Sequence, residues 1–444
     1  MAEGDLPFVL REARGFGVAT WITIDLEHAL LDPWAGRSLL LAKVMDESLG
    51  QLQIEGRPGV FGSSGPYYGF EDLAGQLHQA IDQYAGVQTV PFFALAFLVL
   101  LYIALIGPGD YLLVRRLLKR TELTWLTFPT IVIATSIIAY FAAVWLKGDQ
   151  LRVDQIDLVD IDARSGVVQG RTFAGVFSPV SRAYDLTTEP PTRLFSGKLE
   201  GLKQTTSWFG APGFGLGGMH RRDMGPSWFA SSYSLSADLA KLDGTPIKVW
   251  SSKLFAADWQ ARAPQSLHGE LGEDASGKLA GTLKNPLGVP FESGVLCYKT
   301  TAYEVPRLAP GESIDIRKLS DRDLRGLLAN SQIMQRTRRE LSPGMRTQTH
   351  DVSSLDPAEV LTKVLFFQAL GSEEHSRLNN DELSRLDFSE LLKLRRAVFV
   401  GSIGDGEQAA TPKFVVAYGG AEVPREHDLH RTIVRMTIPV KTKQ

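Results

Sequence analysis

Two charge-free apolar runs interrupt an otherwise alternating chain, VPFFALAFLVLLYIALI at 90–106 and LTWLTFPTIVIATSIIAYFAAVWL at 123–146. A helix rises about 1.5 Å per residue and a hydrocarbon core is about 30 Å thick, so a membrane span takes roughly 20 apolar residues. Each run reaches that length once uncharged neighbours such as Thr89 and Gly107 are counted. The Leu, Ile, Val and Phe of the first run bring an insertion free energy on the order of 5 kcal/mol. Two such runs close together, with charges only between and outside them, predict a transmembrane hairpin rather than buried core helices.

The segment 109–122 between the runs carries Arg115, Arg116, Lys119 and Arg120 against Asp110 and Glu122, whereas no Lys or Arg lies between Arg57 and the first run. Short loops rich in Lys and Arg stay on the cytoplasmic side, so the turn is expected to face the cytoplasm and both flanks the opposite side. Leucines alternate with the arginines in this turn, as in a short interfacial helix. Thr135, Ala139 and Ala143 share one face of the second run, where small side chains permit close helix approach.

Period-two alternation predicts strands elsewhere. One covers 16–26, followed by an amphipathic helix at 38–49, a Gly, Ser and Pro rich loop at 56–69, and a polar helix at 71–84 leading to the first span. One strand and one helix bury no core by themselves, so this piece borrows a partner or is the remnant of a larger α/β domain. After the second run, 151–161 alternates with a slip at Asp154-Gln155 that reads as a bulge, and 167–177 resumes after a turn. Further strands are expected at 183–186, 247–254, 267–271, 279–283, 294–302, 313–316, 397–403 and 432–440. A helical insertion interrupts them at 320–396, with helices at 321–340, at 357–370 behind the cap Asp356, and at 381–395 behind Asn380.

The expected fold class is thus membrane-anchored α+β, a two-helix hairpin followed by a largely antiparallel β-sandwich-like domain with a helical insertion. Its parts are a partial α/β segment (1–55), linker and polar helix (56–89), first span (90–108), basic turn (109–122), second span (123–146), β-rich extracytoplasmic domain (147–319), helical insertion (320–396) and closing strands (397–444).

Composition narrows the function. The 444 residues carry a formal net charge of −3, which gives no support for nucleic-acid binding. A single cysteine excludes an intrachain disulfide framework and a multi-cysteine zinc site.

A resemblance is carried by Arg11, Gly15-Phe16-Gly17-Val18, Asp25-Leu26, Trp34 and Leu39-Leu40. It continues through Tyr102, Ile106-Gly107-Pro108, Asp110-Tyr111, Arg115-Arg116, Thr124-Trp125-Leu126-Thr127 and Pro129. These residues resemble a group of uncharacterised bacterial membrane proteins. In that group an outward-facing domain similar to class I glutamine amidotransferases precedes a transmembrane helix pair and a β-rich domain. The similarity runs to about position 190 and is most specific across the hairpin. Most of the amidotransferase-like domain is missing here, so any nucleophile is expected upstream of Met1 and no catalytic residue is carried over. The resemblance implies an architecture and no reaction.

Candidate chemistry is sparse. Cys297 sits in a predicted strand as a small buried residue. Glu426, His427 and His430 form EHDLH, whose histidines three apart suit a metal on a helix but lack remote companions, so a solvated polar turn is expected. Glu373-Glu374-His375 reads as a charged helix end, and Arg336, Arg338, Arg339 and Glu340 as a solvated helix face. The Gly and aromatic rich stretch 208–229, with Trp208, Trp228, Arg221, Arg222 and Asp223, is the best candidate for recognition of sugar rings or a protein partner; equally open are aromatics that cover the sheet and aromatics that dip into the membrane interface. Its GFGLGG neither follows a strand nor opens a helix, so it is not a dinucleotide signature.

The function expected is that of a non-enzymatic binding or scaffold component of the bacterial inner membrane, holding its main domain outside the cytoplasm. No catalytic residue, cofactor or metal ligand is assigned; the expected partners are the lipid bilayer and an envelope or membrane protein. The alternative is an envelope hydrolase or amidotransferase-like enzyme, for which Asp243, Glu270 and Asp274 are available carboxylates without a selecting pattern.

Overall fold

The strand Leu151–Asp162 begins just after the second apolar helix and is the centre of the molecule. In the computed structural model it pairs antiparallel with Val167–Ser178 and parallel with His430–Lys441, so the chain's last strand closes onto its first long one. The description covers residues 9–23, 36, 38–39, 70–87, 92–118, 121–191, 193–195, 197–209, 233–263, 271–329, 352–426 and 429–441.

These strands belong to a 13-stranded mixed sheet that continues through Ser251–Arg262 to Glu200–Trp208 on one side. On the other side it runs through Arg396–Ile403 and Phe291–Tyr298 to Thr301–Val305. A 5-stranded sheet, with Arg182–Glu189 between Lys241–Ile247 and Lys413–Tyr418, packs on one part of it. Their shared core holds Val153, Val176, Tyr184, Leu242, Phe255 and Phe414. Farther along the large sheet a second core gathers Val159, Trp259, Leu296, Phe399 and Met436. A third contains Leu158, Phe173 and Ile433 with helices Leu73–Ile81 and Pro357–Leu365. Sheet on sheet and helices on sheet are the two ways such elements bury their apolar sides.

Several expectations change. The predicted strand 16–26 is a hairpin, Val9–Arg14 with Gly17–Ile22, turned through Gly15 at φ 61. It takes its partner from the C-terminal domain: Ala13 is buried in the third core and Phe16 stacks on Phe388 at 6.0 Å. The helix expected at 38–49 lies mostly outside the described residues. The helix read as polar, Leu73–Ile81, is instead buried on Leu73, Ala74, Leu77, Ala80 and Ile81, with Asp72 as its N-cap. Against Val167–Ser178 the predicted bulge at Asp154-Gln155 is absent, the register running unbroken from Arg152–Phe177 to Ile161–Val168, whereas on the other side the pairing shifts by one residue between Arg425–Leu151 and His430–Gln155. The predicted strand 247–254 is split by a corner at 248–250, and 294–302 by a turn at Lys299, whose φ is 53. Residues 321–323 are strand before the helix Leu324–Ala329, and 381–395 holds only two short helices. Asp356 caps its helix as expected, accepting the Ala358 N–H at 2.9 Å.

Both apolar runs are helical and unwrapped by the rest of the chain. The first apolar helix covers Phe92–Arg116, 25 residues, and the second Thr124–Lys147, 24 residues; neither has its apolar stretch buried. The first widens to a π-helical stretch at Leu105–Gly109, where Pro108 withholds an N–H from the α-helical ladder, and helix continues through Arg115 and Arg116 to Leu118. In the second helix the hydroxyls of Thr127, Thr130, Thr135 and Ser136 donate to carbonyls four residues earlier, so these polar groups need no water.

Candidate functional site

The registers of five strands line up one transverse row across the large sheet: Arg435, Asp160, Gln169, Gln260 and Lys203. Two residues along, the next row is Ile433, Leu158, Arg171, Asp258 and Thr205. Period-two alternation puts both rows on the same side of the sheet. Of these rows Asp160, Gln169, Gln260, Lys203, Arg171, Asp258 and Thr205 line a cleft of about 470 Å³, with Arg385 and Leu386 at its edge, while Ile433, Leu158 and Arg435 lie buried beside it.

Its charges are arranged in clamps. Arg171 donates Nε and Nη2 to the two oxygens of Asp258 at 2.5 and 2.6 Å. Arg435, 0% exposed, grips Asp160 in the same way at 2.7 and 2.9 Å, and its Nη1 donates to the Leu386 carbonyl. Two parallel N–H···O bonds fix a carboxylate in place and hold its charge. Both carboxylates of the cleft are thus occupied by guanidinium groups, and Gln169 Nε2 adds a bond to Asp160 at 3.3 Å. Lys203 and Arg385 are exposed on the rim, and among the described residues neither has an acidic partner. The floor offers the amides of Gln169 and Gln260 and the Thr205 hydroxyl. Such a surface can hydrogen-bond a polar ligand and attract an anionic group.

Behind the cleft, on the opposite side of the sheet, lies a buried polar knot. Asp157 accepts from Gln155 at 2.8 Å and Thr172 at 2.6 Å on Oδ1, and its Oδ2 accepts from Thr432 at 3.1 Å and lies 2.9 Å from His430 Nε2. Gln155 also reaches the Pro412 carbonyl and the Phe414 N–H, tying the two sheets together. Its oxygens being used by its neighbours, Asp157 anchors strands and faces no ligand.

The residues singled out by sequence are scattered. Cys297 is fully buried, and burial pushes its thiol well above the ordinary range. His430 belongs to the buried knot rather than to a solvated turn, because a strand carries it under the five-stranded sheet; His427 lies outside the described residues. His375 is buried too, and burial depresses its ring. Asp243 pairs with Lys241 at 2.6 Å and Asp274 closes its own turn onto Ser276 and Lys278. Glu270, Trp228, Arg221, Arg222, Asp223 and the basic run 336–340 lie outside the described residues. Trp208 is half-buried in a strand, 4.8 Å from Phe255, and covered by the Lys253 ammonium at 4.7 Å, not exposed in a loop. Among the described residues no three His, Cys, Asp or Glu gather to hold a metal. Sequence reading missed the cleft because its members look like the solvated face of alternating strands. Arg171 inside VVQGRTFAGVF was the one visible anomaly.

A family model described as a domain of unknown function, DUF8725, matches residues 266–380. No curated protein matches the chain. Among solved structures, the yeast delta-COP-I μ-homology domain complexed with a Dsl1 WxWxV peptide is 6% identical, covering 66% of this chain and 98% of its own, at a TM-score of 0.26. The same yeast domain in a second structure is 7% identical over the same shares, at 0.27. Likeness at that level carries no argument about fold or partner.

Proposed function

We propose that this chain is a membrane-anchored binding protein of the bacterial cell envelope, in which a helix hairpin holds a β-rich domain outside the cytoplasm. The observation that carries the reading is the placement of the hairpin's two flanks. Helix Leu73–Ile81, before the first apolar helix, and strand Leu151–Asp162, after the second, pack in one core. A chain that leaves a domain through one long unwrapped apolar helix and returns through another crosses a bilayer twice. The basic turn then lies on the cytoplasmic side. Anchoring confines the domain beside the membrane and raises its effective concentration for partners there.

The polar cleft is the surface we assign to the partner. Its carboxylates are clamped by Arg171 and Arg435, which leaves them without the freedom of a general base, while Lys203 and Arg385 remain available to an acidic group. The reading is therefore of binding, with an envelope molecule or protein bearing exposed carboxylate or phosphate as partner.

The test is labelling of Arg116→Cys and Ala275→Cys variants in sealed inside-out and right-side-out vesicles with a membrane-impermeant thiol reagent. Reaction of the two positions from opposite sides is expected, and reaction from the same side overturns the topology. Lys203→Glu with Arg385→Glu is expected to abolish capture of an acidic partner while the melting temperature stays put.

A further inference from the structure

The end of the large sheet nearest the apolar helices carries two corners side by side. One transverse row at that end is Arg152, Phe177 and Ser252. Just beyond it the chain passes from the large sheet to the small one through Pro179, Val180 and Ser181, and back through Lys248, Val249 and Trp250. The corners are bonded together: Trp250 N–H donates to the Ser178 carbonyl at 2.8 Å, and Val249 N–H to the Ser181 hydroxyl at 3.0 Å. Beside them Arg182 lies over the ring of Tyr418 at 4.2 Å.

The side chains of this tip are not those of a solvated turn. Val180, Val249 and Tyr418 are exposed at 42%, 45% and 49%, next to exposed Arg182 and Lys248. A tight corner is ordinarily built of Gly, Asn, Asp or Ser, and two exposed valines add nothing to its geometry. Apolar and aromatic groups mixed with cations are what an interface with anionic lipid headgroups selects. The acidic groups at this end are Asp149, just after the second helix, Asp82 beside Ser252, the buried Asp154, Glu426 in the strand paired with Arg152, and Glu422, which is paired with Lys413 at 2.8 Å; none of them lies in the two corners themselves.

Position decides the occupant. The second apolar helix ends at Lys147 and the strand bearing Arg152 starts at Leu151. On the incoming side, a Cβ placed on Gly86 would stand 3.2 Å from Arg152 Nη2, so the segment before the first helix reaches the same end of the sheet. Both connections to the apolar helices therefore converge where the tip is.

We infer that Val180, Val249, Trp250 and Tyr418, with Arg182 and Lys248, form a second membrane contact that rests in the anionic headgroup layer and holds the sheet end-on to the bilayer. This rests on the membrane-anchored reading above. The contact fixes the height and tilt of the cleft, which two tethers to the apolar helices alone do not.

The experiment uses the full chain reconstituted in vesicles of phosphatidylglycerol and phosphatidylethanolamine. Cys297 is buried, so a thiol introduced by Val249→Cys, Val180→Cys, Ala275→Cys or Ile133→Cys is the accessible one, and each carries an environment-sensitive fluorophore. Quenching by lipids spin-labelled near the headgroup is read for each. The expected result is a blue shift and loss of most emission at positions 249 and 180, deep-chain quenching at 133, and no quenching at 275, in the far hairpin of the sheet. Quenching at 133 without any at 249 and 180 overturns the tip contact and leaves the anchor standing. Absence of quenching at 133 overturns the anchor itself. Charge reversal by Arg182→Glu with Lys248→Glu is expected to release the 249 label, and an unchanged signal rejects the anionic headgroup as the partner.

Discussion

Asp72 accepts the backbone N–H of Asp381 at 2.7 Å, joining the segment before the apolar helices to one 309 positions later. The same carboxyl caps helix Leu73–Ile81 by accepting from Ala74 N–H at 2.7 Å, and Leu73 N–H donates to the Asn379 carbonyl at 2.9 Å. Burial outweighs these bonds and raises the carboxyl to about 6.

The sign of its pH effect follows. Between about pH 4 and pH 6 the unfolded chain has lost this proton while the folded domain keeps it, so stability falls as pH rises and levels off above the folded value. A raise from 3.8 to about 6 amounts to about 3 kcal/mol at full ionisation. Asp72→Asn retains an amide oxygen as cap and cannot ionise. Urea midpoints measured across this window are expected to decline less with pH in the variant than in the parent, and parallel profiles reject the assignment.

Arg435 and Asp160 form a fully buried pair, so removing one leaves the other's charge without compensation. Arg435→Met is expected to cost about 3–5 kcal/mol, and Arg435→Met with Asp160→Asn considerably less. A double-mutant cycle from chemical denaturation checks this; additive losses show that the clamp does not couple the two strands.

Gly170 lies beneath the Trp259 indole, where a Cβ would approach Cε2 to 2.2 Å. No L side chain fits without moving the indole, so Gly170→Ala is expected to cost about 1–3 kcal/mol and to alter the near-ultraviolet circular dichroism. Unchanged dichroism at full stability contradicts the packing.

Phe16 fastens the N-terminal hairpin to the domain by stacking on Phe388, assisted by Arg396 Nη2 donating to the Ala13 carbonyl at 3.2 Å. Because Phe16 is half-buried, Phe16→Ala is expected to cost about 2 kcal/mol, below the usual range for a core phenylalanine. Amide exchange in the hairpin is the measurement, and it should accelerate there more than in strand Leu151–Asp162.

Local pattern was enough wherever the deciding physics was local. The two charge-free runs, the alternation at 167–177 and 397–403, and the Asp356 cap all follow from spacing along the chain. The same logic fails at Asp154-Gln155, where two consecutive polar residues break the alternation and suggest a bulge. In fact Gln155 and Asp157 are buried, each satisfied by groups more than 250 positions away. Leu73–Ile81 misleads in the same way, because Gln76 is buried and spends its amide on the Ser354 carbonyl.

The amino-acid sequence by itself therefore determined which segments avoid water and which alternate, because a side chain's preference for oil or water is a property of that residue and its near neighbours. Only the tertiary structure decided that Arg171, Asp258, Asp160 and Arg435 stand in adjacent rows as clamped pairs, and that the connections to both apolar helices approach Arg152. Strand register brings together groups far apart in sequence, and burial becomes affordable for a charge only where its partner arrives at hydrogen-bond distance.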